Sequence, residues 1–414
     1  MDITIQKFGG TSVGSALAIS QLYCRAIECD SDVKIVVSSA MSGVTDMLVQ
    51  ASELAENNLK DAIVIFNQIK DKHIRTIEEL QINDEKLYSE INLKFDTLFD
   101  LLTGINYISE ITNKIKDNVL SFGEQLSTLI LYHYFIKNSQ NCELLYSPQL
   151  IITDSNHCNA KIDFKLSCKE FLNLKLNSGY IYIMQGFIAS DEFGNITTLG
   201  RGGSDYSAAI IAYCLTQCHY KIKEIEIWTD VDGIMTADPR IKPTATTIPE
   251  ISYDDVLKLS YFGAKVVHPD TVKPAIDINI PVIVRNTFNP SNLGTKILKL
   301  SDNNQVVEIK LKSPMILEMT DYNLSKLANE TNRLIEILLN AGSIIYYQQV
   351  SVYNSIIIFQ DVNIQINDYI IGIEYILHSA DIYCLIGKYE NQAIEKAKLI
   401  RGIDETITLF MIQS

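Results

Sequence analysis

Several stretches of this sequence place cations and glycines at the ends of strand-like runs. Residues 7–14 read KFGGTSVG, where an alternating run delivers Lys7 and Gly9 and Gly10 follow at once. Paired glycines allow a tight turn with exposed amide N–H groups, which beside a lysine suits phosphate oxygens. Residues 199–205 read LGRGGSD and open the helical pattern YSAAIIA. An arginine in such a turn can grip a carboxylate through two parallel hydrogen bonds. Residues 228–240 (WTDVDGIMTADPR) put Thr229 and Asp230 at the end of another strand, where ligands sit in open α/β sheets. Residues 262–269 (FGAKVVHP) add Lys265 beside a glycine, and residues 38–45 (SSAMSGVT) place small hydroxyls after an apolar run. Together these are devices for holding anions.

Each segment also has a plain structural reading. The glycine turns join strand to helix, Asp205 can cap the helix that follows, and Lys265 can be a solvated surface lysine. Ser121-x-x-Glu124 fits a capping box, although a carboxylate at a helix mouth can equally receive an ammonium group. Cys214 and Cys218 stand one helical turn apart with His219 next; that spacing on an apolar helix reads as core. No GxxxxGK[ST] loop occurs, and the six histidines form no HExxH pattern. No Ser–His or Cys–His pair stands out as an activated nucleophile.

The formal net charge of −15 argues against a nucleic-acid partner, which needs a basic face. An acidic protein that binds anions must gather a few cations, amides and a metal ion locally. No run of eighteen apolar residues suggests a membrane span, and MDITIQKFGG lacks the pattern of a signal peptide. The eight cysteines form no paired framework, so a reducing cytoplasm is expected.

The elements that must position these residues are α/β in order. Ile3 and Ile5 alternate with polar residues, Val33–Val37 is a buried-type strand, and a helical face lies between them. Residues 46–120 read as a helical insert almost free of glycine. Strands at 180–184, 224–228 and 281–285 then alternate with helices at 204–218 and 254–262. Beyond a boundary near 295–305, strands at 306–311, 343–352 and 355–359 surround a helix at 324–340.

KFGGTSVG, SSAMSGVT, SFGEQLST, QGFIA, TTLGRGGSDYSAA, WTDVDGIMTADPR and FGAKVVHP occur in one order, and this order and spacing resemble the aspartokinase family of the amino-acid kinase fold. The resemblance covers residues 1–297 as a catalytic domain, a mainly parallel sheet flanked by helices. It implies an ACT-like, ferredoxin-like α+β regulatory region over 306–414, shortened and with two ACT units at most. It implies Lys7 and Asp205 as catalytic, with Lys7, Gly9 and Gly10 on the transferring phosphate and Asp205 organising the lysine. Ser39, Ala40, Thr45, Glu124, Phe187, Arg201, Gly202, Gly203 and Ser204 resemble the aspartate pocket, with Arg201 as carboxylate clamp and Glu124 near the amino group. Thr229, Asp230, Met235, Arg240, Lys265 and Val266 resemble the nucleotide side, Met235 standing where many relatives carry tyrosine.

The implied reaction is transfer of phosphate from ATP, with Mg²⁺, to the side-chain carboxylate of aspartate, opening the pathway to lysine, threonine and methionine. A homodimer through the ACT-like domains and an amino-acid effector, lysine or threonine, are expected on the same ground. Aspartate's carboxyl has a pKa near ~4, so the nucleophile is already ionised at neutral pH and needs positioning rather than a base. Another amino-acid kinase of the same fold, or a non-catalytic amino-acid sensor, would carry many of the same segments.

Overall fold

The structure is a computed structural model. It describes residues 1–264, 267, 269–301, 307–321, 323–351, 353–362, 369–370, 373–379, 381–386, 397–402 and 407–412. The chain divides into two compact units. The first comprises residues 1–234, 247–253 and 267–301, and the second 235–246, 254–266 and 302–414.

The first unit is built on an eight-stranded sheet. Its centre is β1 (Asp2–Phe8), parallel to β2 (Val33–Ser38) on one side and to β8 (Lys221–Thr229) on the other. Beyond β2 lie β5 (Ile181–Gln185) and β3 (Cys142–Leu145); beyond β8 lie β10 (Val282–Asn286), β11 (Thr295–Leu298) and β9 (Glu250–Ser252). Only the β10–β11 pair is antiparallel. A small second sheet joins β4 (Ile152–Thr153), β6 (Ile188–Asp191) and β7 (Ile196–Thr198).

The alternation in β1 predicts one polar face, yet Thr4 and Gln6 are as buried as Ile3 and Ile5. Parallel sheets are covered on both faces, so polar side chains there must be satisfied internally. Gln6 Nε2 donates to Glu226 Oε2 at 2.7 Å, and Trp228 Nε1 donates to the same oxygen at 3.0 Å. Arg285 lies 3.4 Å from the other oxygen. This network ties three central strands together through polar groups that would otherwise be costly to bury.

Around the sheet run α1 (Ala16–Glu28), α6 (Phe164–Phe171), α7 (Gly203–Gln217) and α9 (Pro269–Asp277). The predicted helical region resolves into α2 (Val44–Ala55), α3 (Leu59–Glu79), α4 (Glu85–Ile108) and α5 (Asn113–Lys137). Side chains of Leu48, Phe66, Ile91, Phe95, Leu98 and Leu126 are buried where these helices meet. Each such side chain contributes about 1.5–3 kcal/mol relative to exposure. The last helix does not stop near residue 120. Its cap is Thr112, whose side chain accepts from Ile115 N, and it continues through SFGEQLST to Lys137. No helix among the described residues is long and apolar enough to cross a membrane.

In the second unit, β13 (Pro314–Thr320), α10 (Leu324–Asn340), β14 (Ile345–Val350), β15 (Asn354–Gln360) and β16 (Glu374–Ser379) make a sheet of order β14-β15-β13-β16. That is the 2-3-1-4 order of a ferredoxin-like unit. Leu327, Leu334 and Leu338 of α10 pack on Leu317, Met319, Ile357 and Phe359 of the sheet. Another sheet has the order β12-β17-β19-β18, from β12 (Val307–Lys310), β17 (Ile382–Ile386), β18 (Ala397–Gly402) and β19 (Ile407–Ile412). Because β12 precedes the first sheet's strands and β17 follows them, one sheet is nested within the other along the chain. Residues 235–246 join this unit through Glu308 N to Thr236 O at 2.8 Å and Lys242 to Glu308 at 2.9 Å. Most of α8 (Tyr253–Tyr261) belongs here too, and Phe262 stacks on Tyr346.

Candidate active site

Parallel pairing aligns the carboxyl ends of β1, β2, β5 and β8. Lys7 lies level with Val37 and Ile227, and Phe8 with Ser38 and Trp228. The segments that follow β1, β2 and β5, 9–14, 39–45 and 186–187, therefore converge with Thr229 at the end of β8, although more than two hundred residues separate the first from the last. They surround a cavity of about 830 Å³ whose lining comes wholly from the first unit.

Lys7 is fixed at its floor. The side chain is nearly buried, and Nζ meets Asp205 Oδ1 at 2.6 Å. A buried pair of this kind adds little net stability, because desolvation offsets attraction. Its effect is to hold the ammonium at one place on a rigid strand. Asp205 therefore does not act as a helix cap. The cap position of α7 is Gly202, in the left-handed conformation (φ 74°), and no side chain caps that end. The helix opens toward the cavity with Gly203 and Ser204.

Glu124 lies in the interior of α5 and not at its mouth, so the predicted capping box with Ser121 does not form. Gly123 explains its placement. A Cβ there would stand 2.7 Å from the Ala40 Cβ, so only glycine lets the helix approach the 39–41 loop. Ala40 N then donates to Glu124 Oε1 at 3.1 Å. The other oxygen is buried and has no hydrogen-bond partner among the described residues. Burial pushes this carboxyl up to about 8, the Ala40 amide offsetting only part of the penalty. A buried acceptor left unpaired on a cavity wall is a receptor waiting for a donor.

The opposing wall is the 199–204 turn. Leu199 N donates to Phe187 O at 3.0 Å, and Phe187 N donates to Ser207 Oγ at 2.9 Å. These bonds hold Phe187 at φ 63°. Arg201 is exposed to the cavity and makes no ion pair or hydrogen bond with another described residue. Ser39, Ala40, Thr45, Phe187, Gly202, Gly203 and Ser204 all line the same space, as do Gly9, Gly10 and Thr229.

Part of the expected nucleotide side stands differently. Gly9 N already donates to Trp228 O at 3.1 Å, so this amide is not free for phosphate, and Gly9 contributes room beside Lys7 Nζ instead. Asp230 is exposed, and Oδ1 accepts from Thr229 Oγ1 at 3.1 Å. Met235 and Arg240 belong to the second unit, where Asp238 holds the Arg240 guanidinium at 3.0 and 2.7 Å. Lys265 and Val266 lie outside the described residues.

The cavity also uses residues that sequence reasoning passed over: Thr11, Asn113, Lys116, Cys158 and Thr198. Cys158 has φ 70°, a conformation costing an L-residue roughly 1–2 kcal/mol. Glycine avoids that cost but loses more freedom on folding. Cys158→Gly is therefore expected to raise stability by about 0.5–1 kcal/mol, read as a higher urea midpoint at unchanged slope. A lower midpoint would show that the thiol's packing outweighs the backbone strain.

A model of the amino acid kinase family matches residues 2–286. Aspartokinase from Chlamydia trachomatis is 33% identical over 321 residues, 77% of this chain and 70% of that protein. The chain belongs to the aspartokinase family. A bifunctional aspartokinase/homoserine dehydrogenase from Buchnera aphidicola is 33% identical over 300 residues, 70% of this chain. The chain spans 36% of that relative's length, and 58% of aspartokinase 1, chloroplastic, from Arabidopsis thaliana. Among solved aspartokinase structures, E. coli aspartokinase III in complex with lysine and aspartate has TM-score 0.82 at 24% identity, covering 99% of this chain and 96% of that one. The same E. coli protein with aspartate and ADP gives 0.77 at 24% identity and the same coverage. At that identity the likeness is one of fold.

Proposed function

We propose that the protein transfers the γ-phosphoryl group of ATP to the side-chain carboxylate of aspartate, giving 4-phospho-L-aspartate and ADP. One observation carries the reading. A single cavity holds a lysine fixed by an aspartate and, among the described residues, an arginine without a protein partner and a buried carboxyl oxygen without a donor. An α-amino acid offers the complements: an ammonium for Glu124 and an α-carboxylate for Arg201. Its second carboxylate is then directed at Lys7. The nucleophile is already an anion, so the cavity needs no base. A carboxylate oxygen forms a bond to the γ-phosphorus, the bridging P–O bond breaks, and the electron pair leaves with ADP. Lys7 and the Gly10 segment meet the charge spread over the transferring group.

A divalent cation such as Mg²⁺ would supply further neutralisation between the phosphates. Among the described residues no group of three or more His, Cys, Asp or Glu is placed to hold a metal ion, so its ligands would be mainly triphosphate oxygens and water. The nested ferredoxin-like sheets would form the ACT-like regulatory region, pair two subunits and bind an amino-acid effector. Lysine is the first to test, because the E. coli relative was crystallised with it. A cytoplasmic location fits a chain using ATP and free amino acids.

The direct test is aspartate-dependent ADP release, with the acyl phosphate trapped by hydroxylamine as a hydroxamate. Absence of both with aspartate, and their presence with another amino acid, would overturn the substrate. Arg201→Ala is expected to raise the KM for aspartate by on the order of 10–10²-fold, the loss of one charged two-point contact. The KM for ATP should hold. If only the ATP value moved, the two sides of the cavity would be reversed.

A further inference from the structure

One fully buried carboxyl group near the cavity takes no part in the reading above. Asp117 lies on α5 with no exposed surface. Thr198 Oγ1 donates to its Oδ1 at 2.6 Å, and Cys158 N donates to both oxygens, at 3.1 and 3.0 Å. His157 Nδ1 lies 2.9 Å from Oδ2. The carboxyl thus gathers donors from two separate segments, the 154–160 loop and the end of β7, and buries them against a helix.

Those segments lead to the arginine. Thr198 stands three residues before Arg201, and Ala160 N donates to Thr198 O at 2.9 Å. Asn159 packs on Gly200 so closely that a Cβ there would meet its Oδ1 at 2.7 Å. The other end of the same helix segment carries Glu124, seven residues further on. Seven residues are two helical turns, about 10.5 Å of rigid rise. One helix therefore carries both the unpaired acceptor and the anchor of the opposite wall.

We propose that Asp117 is a positioning residue that sets the separation between Arg201 and Glu124, and so the fit of the cavity to the carboxylate and ammonium ends of an α-amino acid. It acts through Thr198 and the 157–159 loop and touches no substrate. The proposal rests on the assignment of the cavity to an amino-acid substrate. It differs from a general stabilising role in one respect: it acts on the amino-acid side and leaves the phosphate side, held by β1 and α7, in place.

The experiment compares wild type, Asp117→Ala and Thr198→Val. Aspartate binding is measured by calorimetry without nucleotide, both KM values by ADP release, and folding by circular dichroism and melting. The expected result for Asp117→Ala is weaker aspartate binding and a higher aspartate KM, each by about tenfold, the order of one charged hydrogen-bond set. Its KM for ATP should stay within about twofold, an effect too small to need any lost contact. Thr198→Val removes one donor and should show the same split at about threefold. Should Asp117→Ala fail to fold, Thr198→Val decides alone. Unchanged aspartate binding in the folded variants, or losses shared equally by both KM values, overturns the proposal. A wild type that binds no aspartate but binds another α-amino acid overturns the substrate assignment instead, and the same split is then read with that ligand.

Discussion

Lys7→Ala should lower kcat by on the order of 10²–10³-fold, the effect of removing one preorganised donor from a transition state of developing charge. The aspartate KM should change little, because Arg201 and Glu124 hold the amino acid from other walls. The argument rests on rigidity as much as on charge. Lys7 sits in the central strand, paired on both sides, and Asp205 fixes Nζ at 2.6 Å. An ammonium held so costs no reorganisation when the two anions meet. Lys7→Arg should not restore the rate. The guanidinium is larger and planar, and it does not reproduce the compact ammonium that Asp205 Oδ1 holds at 2.6 Å. Single-turnover measurement separates this from slow product release. A variant that keeps turnover within about threefold of wild type in the chemical step would remove Lys7 from the mechanism.

Much of this site was legible in the sequence because parallel sheets gather strand ends. Once 7–10, 38–40, 185–187 and 229 are read as carboxyl ends of strands, their convergence follows from topology. Glu124 stands out in the sequence, but at a helix mouth rather than inside α5, where the structure has it. A Ser-x-x-Glu pattern carries no sign of whether the helix begins at its serine, Ser121, or nine residues earlier, at Thr112. Gly9 was assigned a free amide that the strand partner takes. Hydrogen-bond competition of that kind depends on the register between β1 and β8, which no local pattern gives. Asp117 and Cys158 were missed altogether. One lies on a helix face whose partner loop is forty residues away, and the other adopts a glycine-like conformation without being glycine. The nested order of the second unit was also hidden, since β12 pairs with β17 across an entire intervening sheet.

Glu124→Gln should raise the aspartate KM by on the order of 10²-fold at pH 8 and abolish a pH dependence that the wild type shows, since a buried ion pair loses its charged half. In the free cavity burial raises this carboxyl from its ordinary 4.5 to about 8. An arriving ammonium must meet the ionised form, so the proton has to leave first. Below the raised value aspartate affinity should therefore climb about tenfold per pH unit and level off above it. Calorimetry with aspartate alone, from pH 6 to 9, reads this without interference from titrating phosphates. Stability carries the opposite sign. With the folded value above the unfolded one, the contribution of Glu124 is fully present below pH 4.5 and is lost as pH rises toward 8. Glutamine does not titrate, so the variant should unfold at higher urea than wild type at pH 8, with the gap closing near pH 5. A flat wild-type affinity across that range, or a glutamine variant that binds aspartate as the wild type does, would show that Glu124 does not receive the ammonium.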